Sequence, residues 1–542
     1  MMVERVGHKI AALIFMGVGT FANAYATDWL QFGYDMAHSG FNRDERSYPT
    51  QSGNRVLYHY ALPVSAGLVD SAPVYLGNVA TASGTRNMLF LVSKNGTLLA
   101  LDADSPSLKV LWSRQPLGIG LRTNGAAAID PDRLHVYAFG LDGKVHKYKV
   151  GDGSEITGGG WPQISTLKPD QEKGAAGLAI ATAQNGTSYL YSVVSGYIDD
   201  TNDYQGHITA INLATGAQAV FNAQCSNLTI HFVANGILSG AGQNDCMRIG
   251  GGNSGIWGRP GSLYDAGTNR VFITTGNGDF DPSNAKGNGM DWGDSVLALH
   301  PDGTGAGGGM PLDSYTPTTY GSDNPKAGLE GYDADLGAVT LALIPPPPGT
   351  AAAYLHLGVQ GGKDGCLRLL NLANLSGAGG PAHVGGELQA INFPGGVNCT
   401  TGQDGPEIKS QPAVWVNPAD KSTWLYVTTD FDGMAAYKIV LDGSGKPSLS
   451  LKWTGHSATS PIVANGIVYI TSDARLYAYD AVSGASVVAD SSPWATTLIN
   501  DTHWQSPIVV NGRIYVVDGV SPTAQSQLWV YELDGLFKGK FD

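Results

Sequence analysis

Charged residues are scarce in this sequence: Asp, Glu, Lys and Arg make up 14% of its 542 residues. Disordered chains are rich in charge, so this composition excludes a largely disordered protein. The charge that is present is acidic, with 46 Asp and Glu against 32 Lys and Arg and a formal net charge of −14. Because sequence-independent binding to nucleic acid and attraction to anionic lipid both require clustered Lys and Arg, we expect neither partner.

Cysteine is also scarce, and the sequence has four residues of this type: Cys225, Cys246, Cys366 and Cys399. No C-x-x-C-H motif occurs, so the sequence has no attachment site for covalently bound haem c. In an oxidising compartment an even number of cysteines indicates disulfides. Four cysteines allow three pairings, and the short intervening loops favour Cys225 with Cys246 and Cys366 with Cys399.

Apolar runs long enough to cross a membrane are missing. The apolar run at residues 10–18 follows basic residues and is too short to span a bilayer. The small-x-small motif at residues 24–26 is typical of a signal-peptide cleavage site. We therefore expect residues 1–26 to be a signal peptide, and residues 27–542 to be a single exported domain without a membrane span, periplasmic or secreted.

Glycine, in contrast, is abundant with 74 residues, and many glycines follow Asp or Asn in the turns of one repeated theme. A small-Pro-aliphatic start leads into a Val, Ile, Tyr and Phe run, a turn, and an alternating strand that ends in Leu-x-Ala-Leu-Asp or a variant. Eight copies occupy residues 71–112, 126–148, 189–216, 271–299, 354–370, 410–453, 459–480 and 505–531.

Eight strand-rich copies, with no amphipathic helix of useful length between them, imply a closed ring of sheets. The sequence therefore predicts an all-β fold, an eight-bladed β-propeller of four-stranded antiparallel blades. Since ring closure removes edge strands, we expect residues 29–32 to add a strand to the last blade.

Polar residues whose side chains could bind a ligand or take part in a reaction are concentrated between residues 250 and 370. Four glycine-rich motifs occur there, G-G-G-N-S-G-I-W-G-R-P at 250–260, T-G-N-G at 275–278, D-A-D-L-G at 333–337 and G-G-K-D-G at 361–365. Strand ends and tight turns present backbone and side-chain groups together. We expect a Trp, an Asn, two Asp and a Lys to converge on one ligand.

This succession of motifs resembles the pyrroloquinoline quinone (PQQ)-dependent alcohol dehydrogenases, a family of eight-bladed quinoprotein propellers. The resemblance runs from W-x5-D-x2-H-S-G at residues 29–40 to the last copy. It implies metal-assisted hydride transfer from a small-molecule or polymeric alcohol, or a sugar hydroxyl, to PQQ. The implied metal is Ca²⁺, or a lanthanide, and the implied electron acceptor is an external cytochrome c or another acceptor.

The resemblance also implies roles for individual residues. Trp257 matches the tryptophan on which the quinone rings stack, and Lys363 matches the basic residue that hydrogen-bonds the quinone oxygens. Asp333 matches the catalytic base. Arg122 lies near the place of an arginine in an Asn-Arg-Gly motif that many family members carry.

The metal ligands follow in the same way. Asn277 matches an amide ligand of the metal, Asp333 contributes to the same site, and Asp335 lies where lanthanide-using relatives have an extra carboxylate. A further acidic ligand is expected from the third copy, where Asp199 is chosen over Asp200. The residue types suit the chemistry, because hard cations prefer oxygen ligands and polarise a carbonyl group.

The sequence departs from the family pattern in three places. It has no adjacent pair of cysteines, no Asn-Arg-Gly in the second copy and no Gly-Glu in the third. The first concerns the surroundings of the quinone, and the other two concern Arg122 and the acidic metal ligand.

Each candidate residue also has an architectural interpretation. These interpretations are packing between blades for Trp257, a left-handed backbone for Asn277, and capping of turn amides for Asp333 and Asp335. Lys363 would belong to a simple turn like that at residues 94–96. If they hold, the alternative function is a cofactor-free propeller acting as a binding or assembly scaffold. A metal-dependent lyase or hydrolase is a third hypothesis.

Overall fold

The fold is taken from a computed structural model of the chain. The structure describes the following residues: 28–47, 55–63, 67–107, 109–197, 203–237, 245–248, 253–287, 289–321, 328–396, 399–472, 475–487, 505–518 and 526–533. The predicted signal peptide and Asp199 lie outside these residues.

The strands form where Val, Ile, Leu, Phe and Tyr are concentrated, and many of them end at glycine turns. In the first repeat, for example, Gly84–Val92 and Leu98–Asp102 pair antiparallel through a turn in which Gly96 has φ 77°. Gly143 has φ 78° at the equivalent turn of the second repeat. Glycine adopts this left-handed conformation without steric cost, so the repeated turn residues define the hairpins.

The first four blades each pair their strands in sequence order. Their strands are Val74–Thr81, Gly84–Val92, Leu98–Asp102 and Val110–Arg114 in blade one; Ala128–Ile129, His135–Phe139, Lys144–Lys149 and Gln163–Ile164 in blade two; Ala179–Thr182, Ser188–Gly196, His207–Asn212 and Gln218–Asn222, with Glu172–Gly174 added beside the second, in blade three; and Ser262–Asp265, Arg270–Thr274, Val296–Leu299 and Asp313–Tyr315 in blade four.

The other four blades also have four described strands each. Their strands are Ala342–Ile344, Leu357–Gln360, Cys366–Asn371 and Gln389–Asn392 in blade five; Ala413–Val416, Thr423–Thr428, Met434–Leu441 and Pro447–Gly455 in blade six; Ile462–Ala464, Ile467–Ser472 and Arg475–Asp480, with the short strand Phe41–Asn42 parallel to the first, in blade seven; and Ile508–Val510, Arg513–Asp518, Gln527–Glu532 and Arg55–Ala61 in blade eight. The predicted all-β, eight-bladed propeller is confirmed.

Short elements complete the described part of the chain. They are the strands Phe41–Asn42, Asn235–Ile237, Asp245–Arg248, Phe280–Asp281 and Asp291–Trp292, the α-helix Gly328–Tyr332, and the 3-10 helices Leu336–Ala338 and Ala352–Tyr354. Among the described residues, no helix is long and apolar enough to cross a membrane.

The ring is closed by an N-terminal strand, but not by the one that we predicted. Arg55–Ala61 pairs antiparallel with Gln527–Glu532 and completes blade eight. Residues 29–32 lie elsewhere, since Trp29 forms an isolated antiparallel bridge with Tyr75 in blade one. The prediction of closure from the N-terminal side was correct and its residues were wrong, because the apolar run at 29–32 packs on another blade.

The hydrophobic core lies between neighbouring blades rather than within one sheet. Val359 and Leu367 of blade five, for example, belong to one buried cluster with Leu425 and Tyr437 of blade six. Equivalent clusters join blades one and two, two and three, three and four, four and five, and six and seven. Each blade therefore depends on its neighbours for burial, as expected for a repeat architecture.

Residues 29–42 cross one end of the ring and contact the first strand of blade after blade. The segment, here called the crossing segment, makes backbone hydrogen bonds to Tyr75, Ile129, Tyr264, Val414 and Val463 in blades one, two, four, six and seven. Gln31 and Asn42 reach blades three and eight through their side chains, at 2.7 Å from Ile180 N and from Val509 O respectively.

Both predicted disulfides are present. Cys225 pairs with Cys246 and Cys366 pairs with Cys399, with Cα–Cα distances of 5.8 and 5.1 Å. The second disulfide joins a strand of blade five to the connection that leads into blade six, beside one of the motifs singled out in the sequence.

Candidate active site

The candidate residues lie on connections at the end of the ring where first strands begin and second strands finish. Trp257 precedes the first strand of blade four, and Asn277 follows its second strand. Asp333 and Asp335 precede the first strand of blade five, and Lys363 follows its second strand. Because the two strands are antiparallel neighbours, these connections lie side by side.

Lys363 is the centre of the group. Its Nζ lies 2.5 Å from Asp335 Oδ2 and 3.1 Å from Asp333 Oδ2, and it donates to the Asp333 carbonyl oxygen at 2.9 Å. It also lies 5.5 Å from the centre of the Trp257 ring. Lys363 therefore joins an indole face and two carboxylates that are 76 or more residues distant from the indole in sequence.

The charge on Lys363 is stabilised by its neighbours. Burial acts to lower the pKa of the amine, but the carboxylates of Asp335 and Asp333 outweigh burial and raise the pKa above its usual value. Lys363 is thus an ammonium at neutral pH. A fixed positive charge in a partly buried position can stabilise negative charge on a ligand.

Asn277 connects the two carboxylates from the side of blade four. Its backbone N–H donates to Asp335 Oδ1 at 2.9 Å, and its Nδ2 donates to Asp333 Oδ1 at 2.9 Å. Gly276 is required beside it, because a Cβ on Gly276 would collide with Asp335 Oδ1. The glycine of the T-G-N-G motif therefore allows the Asp335 carboxylate to approach the backbone.

A hard cation fits this group of residues. Asn277 Oδ1 is buried and has no hydrogen-bond partner among the described residues. Leaving a buried polar atom unsatisfied costs about 1–3 kcal/mol, which a bound cation would remove. Amide and carboxylate oxygens are the ligands that Ca²⁺ prefers, and Asp333 and Asp335 lie on either side of the amide.

Asp294 is a buried neighbour that the sequence did not reveal. It is 1% exposed, and its Oδ1 accepts a hydrogen bond from Leu336 N at 3.0 Å. Burial, and then the nearby Asp335 carboxylate, raise the pKa of Asp294 well above its usual value. In sequence it belongs to an ordinary-looking turn after Trp292, and the available signal was an Asp two residues before the buried strand Val296–Leu299.

Of the two remaining predicted residues, the structure describes Arg122 alone. Arg122 is on the connection into blade two, where its Nη2 donates to the Tyr197 carbonyl oxygen at 2.8 Å. Asp199 follows Tyr197 closely in sequence but lies outside the described residues. The structure therefore brings together Trp257, Lys363, Asn277, Asp333 and Asp335. Arg122 lies apart from them, on the connection into blade two.

The architectural interpretations hold only in part. Asn277 is not among the described residues with positive φ, so a left-handed backbone does not explain it. Asp333 does have a positive φ of 55°, which Asp tolerates better than most residues. Asp335 does accept from a turn amide, that of Asn277. The simple-turn interpretation of Lys363 leaves its contacts with Trp257 and both carboxylates unexplained.

Comparison with known proteins is informative at the level of the fold. No family model and no curated protein sequence matches the chain. A quinohemoprotein alcohol dehydrogenase from Pseudomonas putida HK5 is similar in structure with a TM-score of 0.62 at 14% identity, covering 95% of this chain and 81% of that one. The enzyme of the same description from Comamonas testosteroni has a TM-score of 0.60 at 14% identity, with 96% and 83% covered.

A third similar structure is a europium-containing methanol dehydrogenase, with a TM-score of 0.61 at 15% identity, covering 94% of this chain and 98% of that one. Identities this low establish the fold and leave the activity to the site itself. The chain therefore has the eight-bladed propeller fold seen in quinohemoprotein alcohol dehydrogenases and in methanol dehydrogenase.

Proposed function

We propose that the protein is a PQQ-dependent dehydrogenase that oxidises an alcohol or a sugar hydroxyl with the help of a metal ion. The observation that carries the proposal is the convergence of Trp257, Asn277 and Lys363 on the carboxylates of Asp333 and Asp335. The shared fold with quinohemoprotein alcohol dehydrogenases and methanol dehydrogenase supports it.

Asp333 is the group that takes the proton of the substrate hydroxyl. Its side chain is 73% exposed, so an alcohol reaches it from solvent. Asn277 Nδ2 orients one of its oxygens and Lys363 Nζ orients the other, at 2.9 and 3.1 Å. A carboxylate held in this way accepts a proton from a hydroxyl placed at hydrogen-bond distance.

Trp257 and Lys363 are the residues that hold the quinone. A flat indole suits the stacking of a flat cofactor, and the Lys363 ammonium lies near that ring. From this position the ammonium could donate hydrogen bonds to oxygens of a bound cofactor and would stabilise negative charge there. Arg122, on the connection into blade two, is proposed to contact the same cofactor.

Asn277 Oδ1 and the carboxylates of Asp333 and Asp335 are the proposed ligands of the metal, with Asp199 from blade three as a further ligand. A bound quinone would supply the hydride acceptor for the alcohol carbon, and Ca²⁺ or a lanthanide held by these residues would supply a Lewis acid. Lys363 and Asn277 hold the carboxylates of Asp333 and Asp335 in place for this site.

The setting of the reaction is also a proposal. Two disulfides support an oxidising compartment, so we place the protein in the periplasm or outside the cell after removal of residues 1–26. The propeller then comprises residues 27–542. Since the sequence has no haem-attachment motif, electrons leave for an external cytochrome c or another acceptor.

Reconstitution tests the proposal. The purified chain is mixed with PQQ and either Ca²⁺ or La³⁺, and dye reduction is assayed with small-molecule and polymeric alcohols and with sugars. We expect turnover that requires both PQQ and a metal. Absence of PQQ binding with either metal would contradict the proposal and favour a scaffold propeller.

A further inference from the structure

Four basic side chains converge from the first four blades at the end of the ring that carries the candidate site. They are Lys94, in the turn after the second strand of blade one; Arg122, on the connection into blade two; Lys173, in the strand Glu172–Gly174 of blade three; and Arg259, on the connection into blade four. We call these four residues the basic cluster. None of them except Arg122 was singled out by the sequence.

Contacts join the members of the basic cluster. Lys94 Nζ lies 2.9 Å from Asp70 Oδ2, and Asn124 Nδ2 donates to the same oxygen at 3.3 Å. On its other side, Asn124 Oδ1 accepts a hydrogen bond from Lys173 Nζ at 3.2 Å. The two lysines are therefore held through Asp70 and Asn124 in one buried network.

The cluster lies in the interior of the ring. Lys173 is 6% exposed and Arg259 is 2% exposed, whereas Lys94 keeps a quarter of its side chain exposed. Burying cations is unfavourable unless negative charge lies near them. Positive charge that is fixed in a poorly solvated place attracts anions more strongly than the same charge on the surface.

The four side chains influence one another electrostatically at Lys173. Burial is the largest cause that lowers the pKa of the Lys173 amine, and the positive charges of Arg122, Lys94 and Arg259 also lower it, so that the pKa falls to about 7. The Asp70 carboxylate acts in the opposite direction without restoring the usual pKa. Positive charge thus predominates around Lys173.

The basic cluster adjoins the candidate cofactor site through one short turn. Arg259 follows Trp257 by two residues, and the Arg259 carbonyl oxygen accepts a hydrogen bond from Gly177 N at 2.8 Å, which ties this turn to blade three. The Trp257 ring in turn lies against Lys363 of blade five. Arg259 of the basic cluster is therefore two residues along the chain from the ring that Lys363 contacts.

We propose that Lys94, Arg122, Lys173 and Arg259 form an anion-binding site that takes the carboxylate groups of the cofactor, with Lys173 as its central donor. The inference rests on the proposed function, since PQQ is a compact aromatic polycarboxylate. The chemistry that the cluster recognises is the carboxylate group, and a free polycarboxylate such as citrate offers the same groups without the quinone.

The proposal has a consequence for protons. A bound anion favours the charged form of Lys173, so binding near neutral pH takes up a proton from solution. The charged groups that face Lys173 are Asp70, Lys94, Arg122 and Arg259. Because the pKa of Lys173 is lowered to about 7, Lys173 supplies the proton uptake.

The test is calorimetric titration of the Ca²⁺-loaded chain with PQQ at about pH 8, in two buffers of different ionisation enthalpy. We expect wild type to bind with net proton uptake. Lys173→Met should bind at least about tenfold more weakly, because a hydrogen bond to a charged group is lost, and without the uptake. Lys173→Arg should restore affinity without uptake, and Lys438→Met on the outside of blade six should match wild type. Equal affinity and uptake in Lys173→Met would overturn the proposal.

A second experiment with citrate tests the basic cluster independently of the proposed function. If wild type fails to bind PQQ, the proposed function is contradicted, and thermal melts with citrate then examine the cluster alone. A rise in Tm with citrate in wild type, absent in Lys173→Met, would support a carboxylate site. No rise in either protein, or the same rise in both, would remove the site. Circular dichroism of each variant checks that it is folded.

Discussion

Lys363 Nζ lies closer to Asp335 than to Asp333, at 2.5 Å against 3.1 Å from the respective Oδ2 atoms. The two carboxylates also differ in exposure, because the Asp335 side chain is 11% exposed and that of Asp333 is 73% exposed. Asp335 is therefore the buried partner of the ammonium, and Asp333 is the one that an incoming substrate reaches. Under the proposed function, this difference favours Asp333 for proton transfer and Asp335 for positioning Lys363 and the metal.

Replacing Asp333 by Asn should leave the fold intact and lower kcat by about 10²- to 10⁴-fold, because the amide cannot accept the hydroxyl proton. The measurement is dye reduction by the reconstituted protein. Asp420→Asn is the matched control, since Asp420 pairs with Lys438 at 3.3 Å and lies in the hairpin between the first two strands of blade six, at the end of the ring opposite the site. Unchanged activity in Asp333→Asn would remove Asp333 from its role.

Replacing Asn277 by Ala should weaken metal retention at least about tenfold, because the buried amide oxygen is removed from the site. Titration of the chain with Ca²⁺, followed by calorimetry in the absence of substrate, measures this directly. If wild type and Asn277→Ala bind Ca²⁺ equally well, the amide is not a ligand and the site has been placed wrongly.

His146 should make stability depend on pH in one direction. Burial acts to lower the pKa of this histidine, but its hydrogen bonds with Asp142 and Glu155 outweigh burial and raise the pKa above its usual value. The stabilisation is complete below the unfolded pKa of about 6.5 and is lost as pH rises through the raised folded value. Urea unfolding should show His146→Gln losing more stability at about pH 5.5 than at about pH 9.

The control for that experiment is His456→Gln, since His456 is exposed and stacks on Tyr477 without a carboxylate in its described contacts. A difference between wild type and His146→Gln that is the same at both pH values, or larger at the higher one, would contradict the argument.

Removing the Cys366–Cys399 disulfide should lower the free energy of unfolding by about 4 kcal/mol, the loop-entropy value for residues 33 apart in sequence. It should also loosen the connection that packs on the site, where Gly405 N donates to the Lys363 carbonyl oxygen at 3.1 Å. Urea unfolding of a variant with both cysteines changed to Ala gives the first quantity, and the KM for alcohol gives the second. Full stability and an unchanged KM would show that this connection is held by its other contacts.

The blades could be predicted from the sequence because their information is local. Apolar strands and glycine turns such as Asn95-Gly96 recur along the chain, so counting copies gave the number of blades. The closing strand was misassigned for the opposite reason. Arg55–Ala61 pairs with residues more than 460 positions away, and its alternation does not reveal its partner.

The residues of the candidate site also fall into those that the sequence revealed and those that it did not. The glycine-rich motifs revealed Trp257, Asn277 and Lys363, since tight turns with single functional side chains stand out in sequence. The basic cluster did not stand out, because its members lie on four separate connections between Lys94 and Arg259 and only the closed ring brings them together. The left-handed explanation of Asn277 could be rejected only from its backbone angles.

The contacts of the crossing segment imply an order of events in the synthesis and folding of the chain. Residues 29–42 are synthesised before any blade, yet Asn42 finds its partner Val509 only after 467 more residues exist. Contacts of such long sequence separation form slowly and late. Until the eighth blade is synthesised, the crossing segment lacks its hydrogen bond to Val509. The earliest residues of the propeller are therefore among the last to complete their native contacts. In a chain that stops before blade eight, we therefore expect both the N-terminal crossing segment and the C-terminal end to lack native contacts. Closure of the ring is then one late folding event that involves both ends of the chain.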